Sequence, residues 1–207
     1  KLYKELLNFC SLDLSAFYFD IRKDILYCDE IKSSKRKICI NLLGVILDLL
    51  LKWFAPILSF TTEEIFQIIN QKKHTSIHLE TFPDIPINWE NENLFQKWSK
   101  LKIVRNVVNA AIEVKRTNKV IGSSLEADIQ VFLGDEYIQL VKGVDLPEYF
   151  ITSKVEIKST IKDDNLFELN GVPYVKVLVN KAKGKKCTRC WKILQTSCKR
   201  SSCGLKN

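Results

Sequence analysis

The spacing of the apolar residues changes once along the chain, and this change most limits what the chain can fold into. Up to residue 117, apolar residues recur at the three- and four-residue intervals of helices, for example Leu101, Val104, Val108 and Ile112. Beyond residue 118 they alternate with polar ones, as in Ala127, Ile129, Val131 and Leu133. We therefore predict an antiparallel helical bundle over residues 1–117 and a small α/β unit over residues 118–180.

Capping residues and prolines mark the helix boundaries in the first of these segments. Ser33 and Ser34 are suited to start a long helix, and Pro56 to end it. In residues 61–64, two threonines precede two glutamates, the order typical of a helix start. The last helix of the bundle is expected from about residue 94 to residue 117.

The α/β unit contains three strand patterns and two short helical ones. We predict strands at residues 127–133, 155–157 and 175–179. Short helices are expected between the first two strands, at residues 137–141 and 147–150. The remaining residues, 181–207, are too few and too charged to fold without help.

The positive charge of the chain is concentrated in that last segment. The 207 residues include 32 Lys and Arg against 24 Asp and Glu, a net charge of +8. Nine of the basic residues and no acidic residue lie in residues 181–207, so residues 1–180 carry a net charge of −1. Such a local excess is typical of a surface that binds a polyanion. The phosphate backbone of a nucleic acid is favoured over a membrane surface as that partner. A lysine-rich solubilising tail is the alternative.

Four of the seven cysteines lie in the same segment. Two residues separate Cys187 from Cys190, and four separate Cys198 from Cys203. Two such pairs supply the four thiolates of a structural zinc site, with Zn–S bonds of about 2.3 Å. Zinc binding would also provide the folding free energy that a short segment without a core lacks. We therefore predict a short zinc finger with one Zn²⁺, and the alternatives are a redox pair or surface thiols.

The other cysteines and the apolar stretches indicate the cellular setting. Cys10, Cys28 and Cys39 lie among apolar residues and are expected to be buried thiols. An odd cysteine total and no signal-peptide pattern argue against a secreted disulfide framework, so we predict a cytoplasmic protein. Residues 38–60 are rich in Leu and Ile, but polar residues and a proline interrupt them. Because a membrane-spanning helix needs about 20 apolar residues, we predict a buried amphipathic helix here.

Basic and aromatic side chains surround the predicted zinc ligands. Cations beside a stacking surface suit single-stranded RNA, whose unpaired bases stack on aromatic rings. The candidate RNA-binding residues are Lys185, Lys186, Arg189, Trp191, Lys192, Lys199 and Arg200. Trp191 is equally suited to form the small core of the finger, and the sequence leaves both roles open.

The chain offers little material for catalysis. It has two histidines and seven glycines, with no glycine-rich phosphate loop and no candidate Ser–His–Asp set. His74 and His78 have metal-ligand spacing only on a helix, and the setting indicates a loop. We predict no catalytic residue.

Several segments, taken in order, resemble the isoleucyl-tRNA synthetase family. They are Asn-Phe-Cys-Ser at 8–11, Phe-Tyr-Phe-Asp-Ile-Arg-Lys-Asp at 17–24, Trp-Phe-Ala-Pro-Ile-Leu-Ser-Phe-Thr-Thr-Glu-Glu-Ile at 53–65, Ser-Ile-His-Leu at 76–79 with Phe-Pro at 82–83, Ile-Gly-Ser-Ser-Leu-Glu-Ala at 121–127 and Lys-Cys-Thr-Arg-Cys-Trp at 186–191. Valyl and leucyl enzymes have helices similar to the 53–65 segment. The 121–127 and 186–191 segments favour the isoleucyl enzyme, and the resemblance spans essentially the whole chain.

The resemblance implies a fold and a function. The bundle would be the anticodon-binding domain of a class I synthetase, and the carboxy-terminal zinc module would help to hold the anticodon region of isoleucine-specific tRNA. Cys187 and Cys190 would be zinc ligands, with Cys198 and Cys203 as the second pair. The parent enzyme would activate isoleucine with ATP on a catalytic domain of the same polypeptide, and the protein would be a monomer.

The chain departs from the family pattern in two respects. The second cysteine pair of the family is spaced by two residues and lies further along, so this finger is shortened. The HIGH and KMSKS motifs of the catalytic domain and the editing domain are missing, and the start of the chain looks truncated. A free-standing tRNA-binding protein derived from the same module and a zinc-stabilised protein-interaction module are the alternatives.

Overall fold

The computed structural model describes residues 1–71, 75–158, 166–200 and 203. The chain folds into two compact units. The first unit comprises residues 1–30 and 92–207, and the second comprises residues 31–91.

Helices dominate the described part of the chain. The π-helical segment Phe9–Phe19 joins the first two α-helices into one helical stretch. The α-helices are α1 (Leu2–Asn8), α2 (Asp20–Cys28), α3 (Ser34–Phe54), α4 (Ser59–Ile69), α5 (Glu92–Thr117), α6 (Asp135–Val141) and α7 (Leu146–Tyr149).

The second unit is built on α3 and α4. The Ser33 side chain accepts a hydrogen bond from the Arg36 backbone N–H, which confirms the predicted start of α3. Helix α4 begins two residues before the predicted threonines, because the Thr62 N–H already donates to the Leu58 carbonyl at 2.9 Å. The core of this unit consists of Leu51, Ala55, Phe66 and Ile77.

A small mixed sheet lies in the first unit. Strands β1 (Ala127–Leu133), β2 (Lys154–Lys158) and β3 (Val175–Lys181) pair in the order β2-β1-β3. Strand β1 runs parallel to β2 and antiparallel to β3. A parallel pair needs a crossover connection, and here α6 and α7 provide it. All three strands and both short helices lie where the sequence predicts them.

Helix α5 packs on this sheet. Its buried face and the inward face of the strands share one apolar core, which includes Leu101, Val104, Val107, Val108, Ala111, Ile112, Ala127, Ile129, Val131, Val175, Val177 and Val179. The chain is therefore helix-rich with a small mixed sheet, which is compatible with the predicted helical segment and small α/β unit. A single bundle over residues 1–117, and domain boundaries at residues 117 and 180, stay predictions.

A buried arginine ties α2, α5 and α7 together. Arg105 of α5, only 6% exposed, donates hydrogen bonds to the Tyr149 carbonyl and, at 3.2 Å, to an Asp20 carboxylate oxygen. A second ion pair joins Arg22 to Glu148. Together these bonds fix α2 at the edge of the apolar core.

No helix in the described ranges is long and apolar enough to cross a membrane. The apolar helix α3 carries Lys52, which lies 3.0 Å from Asp48 and 3.6 Å from Glu80. An ion pair of this kind is typical of a helix that faces water on one side.

Candidate metal and nucleic-acid site

The four clustered cysteines converge on one point. The sulfur atoms of Cys187, Cys190, Cys198 and Cys203 all lie within 4.8 Å of one another. Those of Cys190 and Cys198 are 4.0 Å apart. A tetrahedral zinc with bonds of about 2.3 Å separates its sulfur ligands by about 3.8 Å. The four side chains therefore fit a single metal ion, and the four-residue spacing of the second pair does not keep either cysteine out of the cluster.

A short hairpin positions the first pair of cysteines. Strand β4 (Lys185–Lys186) pairs with β5 (Ile193–Leu194), and Cys187 and Cys190 lie in the turn between them. The Cys187 N–H donates to the Lys192 carbonyl at 2.9 Å, and the Trp191 N–H donates to the Cys187 carbonyl at 3.0 Å. These bonds hold both thiols on the same side of the turn.

Gly184 permits this hairpin to close. Its φ of +140° favours glycine, and a Cβ at this position would lie 2.2 Å from the Leu194 carbonyl oxygen. Since that oxygen belongs to the backbone of β5, it has little freedom to move. Residue 184 therefore has to be a glycine for β4 and β5 to pair as they do.

The thiols differ in how readily they ionise. Burial acts to raise the pKa of Cys187, but backbone hydrogen bonds from Cys190 and Arg189 outweigh it and lower the pKa to about 7. Burial raises the pKa of Cys190 to about 11 and also raises the pKa of Cys203. Four thiolates in this space repel one another, and a divalent cation is the kind of group that would offset their charge.

Arg200 and Lys192, two of the predicted RNA-binding residues, are engaged inside the protein. Arg200 donates to the two carboxylate oxygens of Asp24 at 2.7 and 2.6 Å, and its Nε lies 3.3 Å from Asp29. Lys192 Nζ lies 3.6 Å from Asp24. Burial acts to raise the pKa of Asp24, but the hydrogen bond from Arg200 and the charge of Lys192 outweigh it and lower the pKa.

Two further contacts attach the finger to the end of α2. Arg189 Nη2 donates to the Tyr27 carbonyl at 2.9 Å. The buried thiol of Cys28 donates to the Arg189 carbonyl at 3.8 Å and packs with the four clustered cysteines. The prediction of a buried thiol is confirmed for Cys28 and Cys39, while Cys10 is half-buried. The positions of Asp24 and Cys28 beside the finger carried no signal in the sequence.

The remaining candidates face solvent. Trp191 is 60% exposed and has a φ of +61°. Lys185 and Lys199 are exposed, and Lys186 is exposed with its Nζ 3.5 Å from Glu126. The three lysines and the indole ring of Trp191 are therefore open to solvent.

His78 is not among the clustered metal-ligand candidates of the described residues. His78 lies in the 3-10 turn Ile77–Leu79, as the predicted loop requires, and His74 lies outside the described residues. Glu63, at the start of α4, accepts hydrogen bonds from the Ser76 hydroxyl at 2.8 Å and the Ile77 N–H at 2.9 Å. This glutamate therefore anchors the loop after α4.

The chain matches one known protein family and several known proteins in sequence. Residues 1–132 match the family described as the anticodon-binding domain of tRNA ligase. The chain belongs to this family. It is also 49% identical over 201 residues to isoleucine–tRNA ligase of Pelagibacter ubique, which covers 97% of this chain and 21% of that protein.

Two further relatives carry the same name. The isoleucine–tRNA ligase of Bartonella henselae is 41% identical over 196 residues, which covers 94% of this chain and 20% of that protein. That of Bradyrhizobium diazoefficiens is 42% identical over 189 residues, which covers 91% of this chain and 19% of that protein. The chain thus spans about a fifth of the length of these relatives. The resemblance to isoleucyl-tRNA synthetase is confirmed.

Proposed function

We propose that this chain is the tRNA-binding part of an isoleucine–tRNA ligase and recognises the anticodon region of isoleucine-specific tRNA. The match of residues 1–132 to the anticodon-binding family carries this proposal. The complete protein would join isoleucine to tRNA with ATP, using a catalytic domain on the same polypeptide. It would act as a monomer in the cytoplasm.

Three segments of the chain would have different roles in tRNA binding. The helices of residues 1–117 would recognise the anticodon, and the small α/β unit of residues 118–180 would support the finger. The basic module of residues 181–207 would add contacts to the RNA backbone and bases. The hydrogen bond from the Ile193 N–H to the Ser153 hydroxyl, at 2.6 Å, supports the middle role, because it joins the finger to the α/β unit.

One structural Zn²⁺ would hold the finger, with Cys187, Cys190, Cys198 and Cys203 as its ligands. The convergence of the four sulfur atoms supports this assignment. Sulfur ligands in tetrahedral sets favour zinc among the common structural metals. Bound zinc would supply the folding free energy of a segment whose buried residues, among those described, are Cys190 and Cys203.

The RNA contacts would come from the outer surface of the finger. Trp191 would stack on an unpaired base, because its ring is largely exposed instead of forming a core. Lys185, Lys186, Arg189 and Lys199 would approach phosphates. Lys192 and Arg200 would act mainly by holding the finger on α2, since their charges are offset by Asp24 and Asp29.

Elemental analysis tests the metal assignment. We expect one zinc per chain in the unaltered protein and none in Cys187→Ser or Cys203→Ser. Retention of zinc by Cys203→Ser would show that Cys203 is not one of the ligands. Cys39→Ser is the control, because Cys39 is buried and is not among the clustered cysteines.

Binding of isoleucine tRNA at several salt concentrations tests the RNA-binding role. We expect affinity to fall with salt, by a slope of about 0.7 for each phosphate contact. Trp191→Ala should weaken binding, while Tyr174→Ala, which removes an exposed aromatic ring of the α/β unit, should not. Salt-independent or absent binding would favour a protein-interaction module. Coding sequence for a catalytic domain upstream of Lys1 would exclude a free-standing tRNA-binding protein.

A further inference from the structure

A groove of about 470 Å³ lies between the end of α5 and the end of β3. Its charged lining residues are Glu113, Arg116, Lys119 and Lys181, so the lining carries a net charge of +2. All four belong to the first compact unit. Arg116 and Lys119 lie within residues 1–180, whose net charge is −1. The net charge of that segment therefore gives no sign of the groove.

The acidic group of the groove is already neutralised. The Glu113 carboxylate accepts a hydrogen bond from Arg116 Nη1 at 2.6 Å, one turn along α5. Within the described ranges, no carboxylate forms an ion pair with Lys119 or Lys181. The groove therefore presents two ammonium groups whose charge is available to an anion.

The carboxylate of Glu126 near the groove is shared among several partners. It accepts a hydrogen bond from the Gly122 N–H at 3.0 Å and lies 3.5 Å from Lys186 Nζ. The hydrogen bond from Gly122, together with the charges of Lys186 and Lys181, lowers the pKa of Glu126. Glu126 thus offsets the charge of Lys181 only in part, and it fixes the backbone of Gly122, which lines the groove.

The backbone at Lys119 is unusual for its residue type. Its φ is +57°, and its N–H donates to the Arg116 carbonyl at 2.9 Å while the Val120 N–H donates to the Lys115 carbonyl at 3.0 Å. This is the left-handed helix ending at which glycine is favoured. A lysine in such a conformation is destabilising for the fold and points to a use for its side chain.

We propose that this groove holds a backbone phosphate of the bound RNA, between the ammonium groups of Lys119 and Lys181. This inference rests on the proposed tRNA-binding function and adds a contact outside the zinc finger. Lys181 ends β3, and only three residues separate it from Lys185 of the finger hairpin. The RNA backbone would therefore run from the end of α5 toward the finger. Such a contact positions the RNA and does not read its sequence.

The decisive variant is Lys119→Gly in the 207-residue chain, with isoleucine tRNA as the probe. Because glycine suits the left-handed conformation, the midpoint of thermal unfolding should stay the same or rise. Affinity for tRNA should nevertheless fall several-fold, and the slope of log affinity against log salt should decrease by about 0.7. Lys181→Ala should reproduce the loss of affinity and of slope.

Lys142→Ala is the matched control, because it removes one exposed lysine of the same unit that does not line the groove. If Lys119→Gly and Lys181→Ala have the same affinity and salt slope as Lys142→Ala, the groove does not hold a phosphate. The proposed tRNA-binding function would be unaffected by that result. Absence of tRNA binding by the unaltered chain would contradict the proposed function and the groove together. Weakened binding in the groove variants alone would support both.

Discussion

Arg200 donates one hydrogen bond to each carboxylate oxygen of Asp24, across 176 positions of sequence. The side chain of Asp24 is only 17% exposed, so water weakens this ion pair less than it would at the surface. Asp24 belongs to α2 and Arg200 to the cysteine-rich segment. Their two parallel hydrogen bonds therefore help to fix the position of the finger against α2.

Asp24→Asn should weaken the attachment of the finger to α2. The amide keeps the shape of the carboxylate but loses the charge that offsets Arg200 and Lys192. We expect the free energy of unfolding to fall by about 2 kcal/mol, as for a hydrogen bond to a charged group. Urea denaturation measures the change, and hydrogen exchange of the Cys187 and Trp191 amides should show faster opening of the finger.

Asp13→Asn is the matched control for that variant. Asp13 also accepts a hydrogen bond from a cation, at 2.8 Å from Lys102 Nζ, but both side chains are about half exposed. Its loss should change stability by less than about 1 kcal/mol. Equal effects of the two variants would show that the Asp24 pair adds nothing beyond an ordinary surface contact.

The same carboxylate makes stability depend on pH. The pKa of Asp24 is lower in the folded chain, so the unfolded chain binds more protons in acid. The stabilising contribution of Asp24 is thus complete above the unfolded value of about 3.9 and is lost as pH falls through the lower folded value. Unfolding curves at several pH values should show the stability difference between wild type and Asp24→Asn shrinking below about pH 4. A constant difference would contradict this.

Two neighbouring hydroxyl groups should respond oppositely to removal. Thr152 is fully buried, and its hydroxyl has no hydrogen-bond partner among the described residues. Thr152→Val should therefore raise the free energy of unfolding by up to about 1 kcal/mol. Ser153→Ala should lower it by about 1 kcal/mol or more, because the Ser153 hydroxyl donates to Leu125 and accepts from Ile193. Thermal unfolding of both variants measures the signs, and destabilisation by Thr152→Val would contradict the first.

Gly184→Ala should damage the finger, because the new methyl group would meet the Leu194 carbonyl oxygen at 2.2 Å. Zinc affinity should fall at least about tenfold, a loss of about 1.4 kcal/mol in binding free energy. Gly143→Ala provides the comparison, since Gly143 also has a positive φ, +76°, but a Cβ there would have no other atom within 4 Å. That variant should strain the backbone by about 1 kcal/mol and leave zinc binding unchanged, as a competition assay with a chelator would show.

Local patterns in the sequence account for most of the fold. Strand alternation predicts β1 because every second residue from Ala127 to Leu133 is buried in the core, and Ser33 predicts the start of α3 because its side chain caps the helix. The pairing of β1 with both β2 and β3 could not be predicted, since register depends on contacts between distant segments. The packing of α5 on the sheet depends on distant contacts in the same way.

In the candidate site too, the sequence indicates the local features but not the contacts between distant segments. The spacing of Cys187 and Cys190 indicates a metal ligand pair, because two thiols on one tight turn are a local arrangement. The sequence also marks Arg200 and Trp191 as a cation and an aromatic ring, but it does not show that Arg200 points inward and Trp191 outward. Arg200 points inward because Asp24 and Asp29, which lie far away in the sequence, form ion pairs with it.

The separation of Asp24 from Arg200 has a consequence for the order of folding. Contacts between segments so far apart close a long loop, so they form late and slowly compared with local helices. During synthesis from the amino terminus, α2 emerges long before the segment that Arg200 carries. Attachment of the finger is therefore expected to be the final step of assembly, after α5 and the sheet have formed their common core.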